Sequence, residues 1–185
     1  MRAEEMSAAS RALAAQIKEE IVMFFSIRLR PLLAAILLLP LMAACSTVDV
    51  ASTQKMKSVG SEFQQSLHFQ YAELAFAEDK RGDNDATEYY NNKAMAAARG
   101  EAVLPTAMAE RKLPAANVKE LTAARDRLAN ALGSGGPRHD PKNMARAQAM
   151  FDCWMEEQEE NFQPDDIKAC RSGFENAIDF VDKAI

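Results

Sequence analysis

The chain has 185 residues, of which 48% are hydrophobic and 7% aromatic. β-Branched residues thin out after residue 60, which argues against a β-sandwich, a barrel and a doubly wound sheet. The net charge of -5 and pI near 5.2 exclude the basic footprint expected of a nucleic-acid partner, and three cysteines leave one thiol over after any single bridge.

Residues 32–44, LLAAILLLPLMAA, form a 13-residue apolar run behind Arg28 and Arg30. A spanning helix needs about 20 apolar residues, whereas a signal-peptide core needs about 7–15, with basic residues before and small residues after. Length and Pro40 both favour a signal peptide over residues 1–44; the alternative is a buried helix of the domain. Leu41-Met42-Ala43-Ala44-Cys45 then resembles the lipobox of bacterial lipoproteins, with Met42 where leucine is usual. That resemblance implies a diacylglycerol thioether on Cys45 as the first mature residue, and Ser46, in place of a retaining aspartate, implies the outer membrane. Several acyl chains anchor a protein stably. Residues 1–22 are alternately charged and would make an unusually long lead before the apolar run, and Met23 opens a conventional one, so residues 1–22 are expected to be a mis-called start. Loss of residues 1–44 removes five basic and four acidic residues and shifts the charge from -5 to -6. With that surface the anchor must be lipid, not a polybasic patch.

Residues 45–60 read as a lipidated tether, polar and without strong period, and residues 61–185 as the folded domain. Ser61 is placed to cap a helix to Arg81, in which Phe63, Leu67, Tyr71 and Leu74 make one stripe and Phe69 and Phe76 a second. Gly82-Asp83-Asn84-Asp85 predicts a turn, and Ala86–Arg99 a second helix ended by Gly100. Tyr89 and Tyr90 lie near its apolar face, either as core or as a partner surface. The pair resembles a tetratricopeptide repeat through Leu74, Ala75 and Gly82, then Ala86, Tyr90 and Ala94. Its turn is one residue short, its second helix one long, and no second copy follows.

Pro105 and Pro114 predict a crossing loop over residues 101–117. A helix is expected from Val118 to Leu132, capped by Asn117, with Val118, Leu121, Leu128 and Leu132 inward. Gly133–Pro137 reads as a flexible loop. Asp140-Pro141 and Gln163-Pro164 each give a cap followed by proline at the first helical position. The first of these helices runs to about Asn161 with Met144, Ala147, Phe151 and Trp154 on one face; the second carries Ile167, Cys170, Phe174, Ala177 and Val181. The expectation is an all-α bundle of about five helices in antiparallel hairpins.

Cys153 and Cys170 lie symmetrically about the turn near Asn161. In an antiparallel hairpin such positions share a height, so the sulfurs can meet and form a structural disulfide, as an oxidising periplasm permits. No metal or cofactor is expected: neither His68 nor His139 stands at ligand spacing from the cysteines, and a C-x-x-C motif is absent. No phosphate loop, HExxH motif or nucleophile elbow occurs, so no catalytic residue is assigned. His68 is expected to be partly buried and His139 in a loop. Glu156–Glu160 reads as a solvated helix face that could hold a divalent cation only weakly, with nothing to fix a geometry.

The segment FDCWMEEQEENFQPDDIKACR (151–171), with FQYAELAFAEDKRGDND and YYNNKAMAAARGE, resembles the N-terminal lipoprotein region of alphaproteobacterial OmpA-family proteins over about Ser61–Ile185. That resemblance implies envelope location and a helical fold, and transfers no functional residue. The family's C-terminal peptidoglycan-binding domain has no αβ counterpart here, so direct peptidoglycan binding is not expected. The expected protein is a non-enzymatic outer-membrane lipoprotein, bound to the membrane through lipid on Cys45, with a periplasmic scaffold domain and an envelope protein partner. The alternatives are a lipid-anchored accessory of a cell-wall enzyme or export machine, and an unrecognised periplasmic enzyme, which a deep pocket lined by perturbed acidic groups would favour.

Overall fold

A computed structural model describes residues 48–185, which are helical and contain no strand. Seven helices follow in order: α1 (Val50–Gln54), α2 (Glu62–Arg81), α3 (Asn84–Ala98), α4 (Ala115–Gly133), α5 (Gly136–His139), α6 (Pro141–Glu160) and α7 (Pro164–Ala184). A single 3₁₀ turn, Met108–Glu110, interrupts the long connection between α3 and α4.

Local chemistry sets most boundaries. Ser61 and Gln64 form a reciprocal capping box on α2. Asp83 and Asp140 accept from the Ala86 and Asn143 amides at 2.8 and 3.2 Å, starting α3 and α6. Gly82 ends α2 at φ 81°, and Asn161 ends α6 at φ 54°, in the left-handed region where glycine and asparagine are tolerated best.

The central helix is α6. Thirteen of its twenty residues are buried, so it has no wide solvent face. It packs against α2, α4, α5 and α7, while α2 and α3 lie side by side across a two-residue turn. Phe174 of α7 sits between Phe151 and Trp154 of α6, with ring centroids 5.8 and 6.1 Å apart. Cys153 and Cys170 are joined, with Cα atoms 5.6 Å apart, inside the range a disulfide requires.

Several expectations are corrected. Helix α4 starts at Ala115 behind Pro114, and Asn117 is not its cap: its amide already donates to the Pro114 carbonyl at 2.9 Å. Val118 is 40% exposed, because Leu121, Ala124, Leu128 and Ala131 supply the inward stripe. Gly133–Pro137 is not a flexible loop: Gly136 opens α5, pressed so close to α6 that an added Cβ would lie 2.6 Å from Met144 Sδ. Phe69, 60% exposed, and Phe76 face outward. His68 is buried: its Nε2 donates to the Thr53 carbonyl at 2.8 Å, which leaves Nδ1 to accept from Ser58 Oγ at 2.5 Å.

That histidine holds down a segment expected to be tether. Val50 and Thr53 are buried, and the Val59 amide donates to the Ala98 carbonyl at 2.8 Å. Gly60 and Gly100 allow the two backbones to approach closely, since a Cβ on Gly60 would stand 3.1 Å from Gly100 Cα. The helical unit thus takes in residues 48–60 as well.

The disulfide links residues 17 apart, and in the chain-entropy model its loss costs roughly 3 kcal/mol. Replacing both Cys153 and Cys170 by Ser is expected to lower the melting temperature by about 10 °C. Calorimetry of the variant checks the magnitude, and mass spectrometry without reductant checks the 153–170 linked peptide.

Candidate functional site

One stripe of α6 carries Met144, Gln148, Asp152, Glu156 and Glu160 at four-residue spacing, and its polar members run through the interior. Asp152 is 0% exposed. Its carboxylate accepts from Tyr71 Oη of α2 at 2.7 Å, from the Thr106 amide of the connection at 2.8 Å, and from Lys93 Nζ of α3 at 2.5 Å. Lys93 lies 5.2 and 5.0 Å from the Tyr71 and Tyr89 ring centres. Gln148 donates to the Val103 carbonyl at 2.8 Å and to Tyr71 Oη at 3.2 Å. Burial, then the Asp152 charge, pushes the Tyr71 phenol well above its ordinary pKa, so it stays a donor. Each of these groups has a partner in the network except Gln148 Oε1, which is buried and accepts from no described residue. The network holds the proline-bearing connection on three helices.

One turn further along α6 the polar stripe meets an open cleft of about 440 Å³, lined among others by Asp83, Tyr89, Arg111, Glu156, Glu159 and Glu160. The expected solvated face Glu156–Glu160 is corrected here. Glu156 is 4% exposed, Glu157 1%, and Gln158 is buried with them. The reason is tertiary: α2 brings Glu78 and Arg81 against this end, and the start of α3 brings Asp83.

Two acidic triads result, Glu78–Glu156–Glu157 and Asp83–Glu156–Glu160, and in each an oxygen of every member lies within 4.8 Å of the others. Arg81 serves the inner triad. It pairs with Glu78 at 2.7 Å, Glu157 at 3.1 Å and Asp166 at 3.2 Å. Arg111 turns instead to Glu159 at 3.1 Å and to the Tyr89 ring. Burial first, then Glu78, Glu160 and Glu157, pushes Glu156 up to about 8. Burial also pushes Glu157 up to about 7, against the pull of Arg81. Glu78 and Glu160 are raised as well, in each case chiefly by burial. Burial acts the same way on Glu159, but the Lys112 amide and Arg111 outweigh it and hold that carboxyl below its ordinary value.

Of the residues singled out from sequence, Cys45 lies outside the described residues, as do the signal segment 1–44 and the start at Met23. Cys153 and Cys170 are brought together. His139 is exposed, and Tyr90 is buried while Tyr89 is half-buried over the cleft. The acidic pair of Glu78 and Asp83 was not foreseen beside Glu156. No signal in the sequence placed them there, because Glu156, Glu157, Glu159 and Glu160 share one arc of α6 and read as a face open to water. No helix among the described residues is long and apolar enough to cross a membrane. Comparison with models of known families, with curated proteins and with solved structures found no match to this chain.

The raised acids set the pH dependence of stability. Between the unfolded value of 4.5 and the folded values near 7 and 8, the native state holds protons that the unfolded chain has released. The stability that these two groups contribute is therefore fully present below about pH 4.5 and is lost as pH rises toward 8. Glu156→Gln is expected to change little at pH 5 and to stabilise by on the order of 2 kcal/mol at pH 8.5, as urea titrations at the two pH values would measure.

Proposed function

We propose that this chain is an outer-membrane lipoprotein whose helical domain is held on the periplasmic face by acyl chains on Cys45. There it serves cell-envelope organisation as an interaction or scaffold module, similar to the N-terminal region of OmpA-family proteins. The observation that carries this reading is the short lead into the fold. Val50, five residues after Cys45, is already buried against the bundle. Five residues span at most about 18 Å, so lipid on Cys45 would hold the domain against the membrane surface. Phe69 and Phe76, seven residues apart on the outer side of α2, supply apolar surface for a partner. An accessory subunit of a cell-wall enzyme or export machine would use the same anchor and the same surface.

The finer architecture belongs to this reading. Helices α2 and α3 form an antiparallel, tetratricopeptide-like hairpin, and α6 and α7 a second one. Connections of two and three residues support this, since so short a turn brings consecutive helices back along each other.

One observation favours a second reading, catalysis: a cleft lined by acids with shifted pKa values, Glu156 foremost. A protonated Glu156 could act as a general acid beside ionised Glu159.

Three experiments separate these. Cys45→Ser is expected to move the protein from the membrane to the soluble envelope fraction and to abolish fatty-acid labelling; a variant that stays membrane-bound overturns the anchor. Crosslinking in whole cells followed by mass spectrometry is expected to recover an envelope protein. Release of reducing ends from envelope glycan by the wild-type chain, lost in Glu156→Gln, would establish the enzyme instead.

A further inference from the structure

Arg81 compensates Glu78 and Glu157 of the inner triad, and Arg111 compensates Glu159. Asp83, Glu156 and Glu160 have no lysine or arginine within ion-pair distance among the described residues. Asp83 spends one oxygen on the Ala86 amide at 2.8 Å, and Glu160 one on Gln163 at 3.3 Å. Glu156, nine-tenths buried and more, receives no hydrogen bond from any described residue, and it faces the cleft. Ionising this carboxyl without a partner would be expensive, so its carboxylate form calls for donors or positive charge in the cleft.

The arrangement has the dimensions of an ion site. Ligand oxygens stand about 2.3–2.6 Å from calcium, so two of them on one ion are at most about 5 Å apart. The three carboxylates each present an oxygen within 4.8 Å of the others. The donors are all oxygens, which suits a hard cation and not a thiolate- or imidazole-seeking one. The cleft of about 440 Å³ gives an entry path and room for the waters that complete six to eight ligands. Magnesium demands near-ideal octahedral placement. Asp83, fixed as the cap of α3, and Glu156, fixed inside the bundle, come from separate elements with little freedom to meet that demand.

We propose that Asp83, Glu156 and Glu160 bind one divalent cation of the calcium type, tying the end of α6 to the start of α3. The ion would take the place of the proton on Glu156 and hold shut the seam between the two helices. The site is independent of the lipid anchor.

The test uses the full chain in neutral detergent, stripped with EDTA, dialysed free of it and titrated with calcium chloride in a calorimeter at pH 7.5. Saturable binding of one ion is expected, with a Kd of roughly 10⁻⁴ to 10⁻³ M, together with a calcium-dependent rise in melting temperature. Glu156→Gln should weaken binding at least tenfold and abolish the rise. Asp83→Asn keeps the helix cap and should weaken binding similarly, so the test survives if either variant folds poorly. Glu120→Gln, an exposed acid paired with Arg171, should bind as wild type does. Absence of saturable binding by the folded wild type up to millimolar calcium overturns the site. So does equal affinity in the folded Glu156→Gln variant, or an equal loss in Glu120→Gln.

Discussion

A carboxylate sealed from water must be given donors or a counter-charge, and Asp152 receives both. It stands midway along α6, the one helix that nearly every other element touches. Its donors come from α2, α3 and the connection that follows α3. The two halves of the bundle are therefore joined by a directional polar contact at their centre as well as by apolar packing around it. Removing one partner of such a buried pair costs about 3–5 kcal/mol, more than most single contacts in a domain of this size contribute. The same contact fixes the rotation of α6 about its own axis. Once Asp152 faces Tyr71 and Lys93, Glu156 and Glu160, one and two turns later, must face the junction of α2 and α3.

That rotation explains why the acidic end of α6 is not a solvated face. The fold accepts buried carboxylates there as a consequence of the orientation set one turn earlier, and it distributes the cost unevenly. Arg81 takes the inner side, bridging α2 to both α6 and α7. Arg111 takes Glu159 and packs on Tyr89. The outer side has no cation at ion-pair distance among the described residues and opens to the cleft. Uneven compensation of this kind differs from a structural ion-pair network, in which each charge has its partner.

The seam between α6 and α7 adds other forces to these ion pairs. The disulfide, beside the buried Glu157, the Phe151–Phe174–Trp154 stack and Arg171 lying 5.4 Å from the Trp154 ring centre bind α7 to α6. His68 performs the corresponding task for the N-terminal segment, where one imidazole holds both the end of α1 and the extended stretch after it. Acyl chains on Cys45 would therefore act on a lead already fastened to the bundle, so the domain's standoff from a membrane would be short.

The sequence by itself determined the helical class, the capped starts at Ser61 and Asp140, the prolines that open α6 and α7, and the pairing of Cys153 with Cys170. These are local or symmetric features: caps act within three residues, and equal distances from a turn survive small errors in its position. Only the tertiary structure decided the burial of Glu156 and Glu157, the exposure of Val118 and Phe69, the helical turn at Gly136 and the docking of residues 48–60. Each of those depends on which neighbour a helix face meets, and periodicity identifies a face without naming what lies opposite. The candidate site belongs wholly to the second group. Its acids come from α2, the α2–α3 turn and α6, stretches up to about 80 residues apart that only the orientation imposed at Asp152 brings to one cleft.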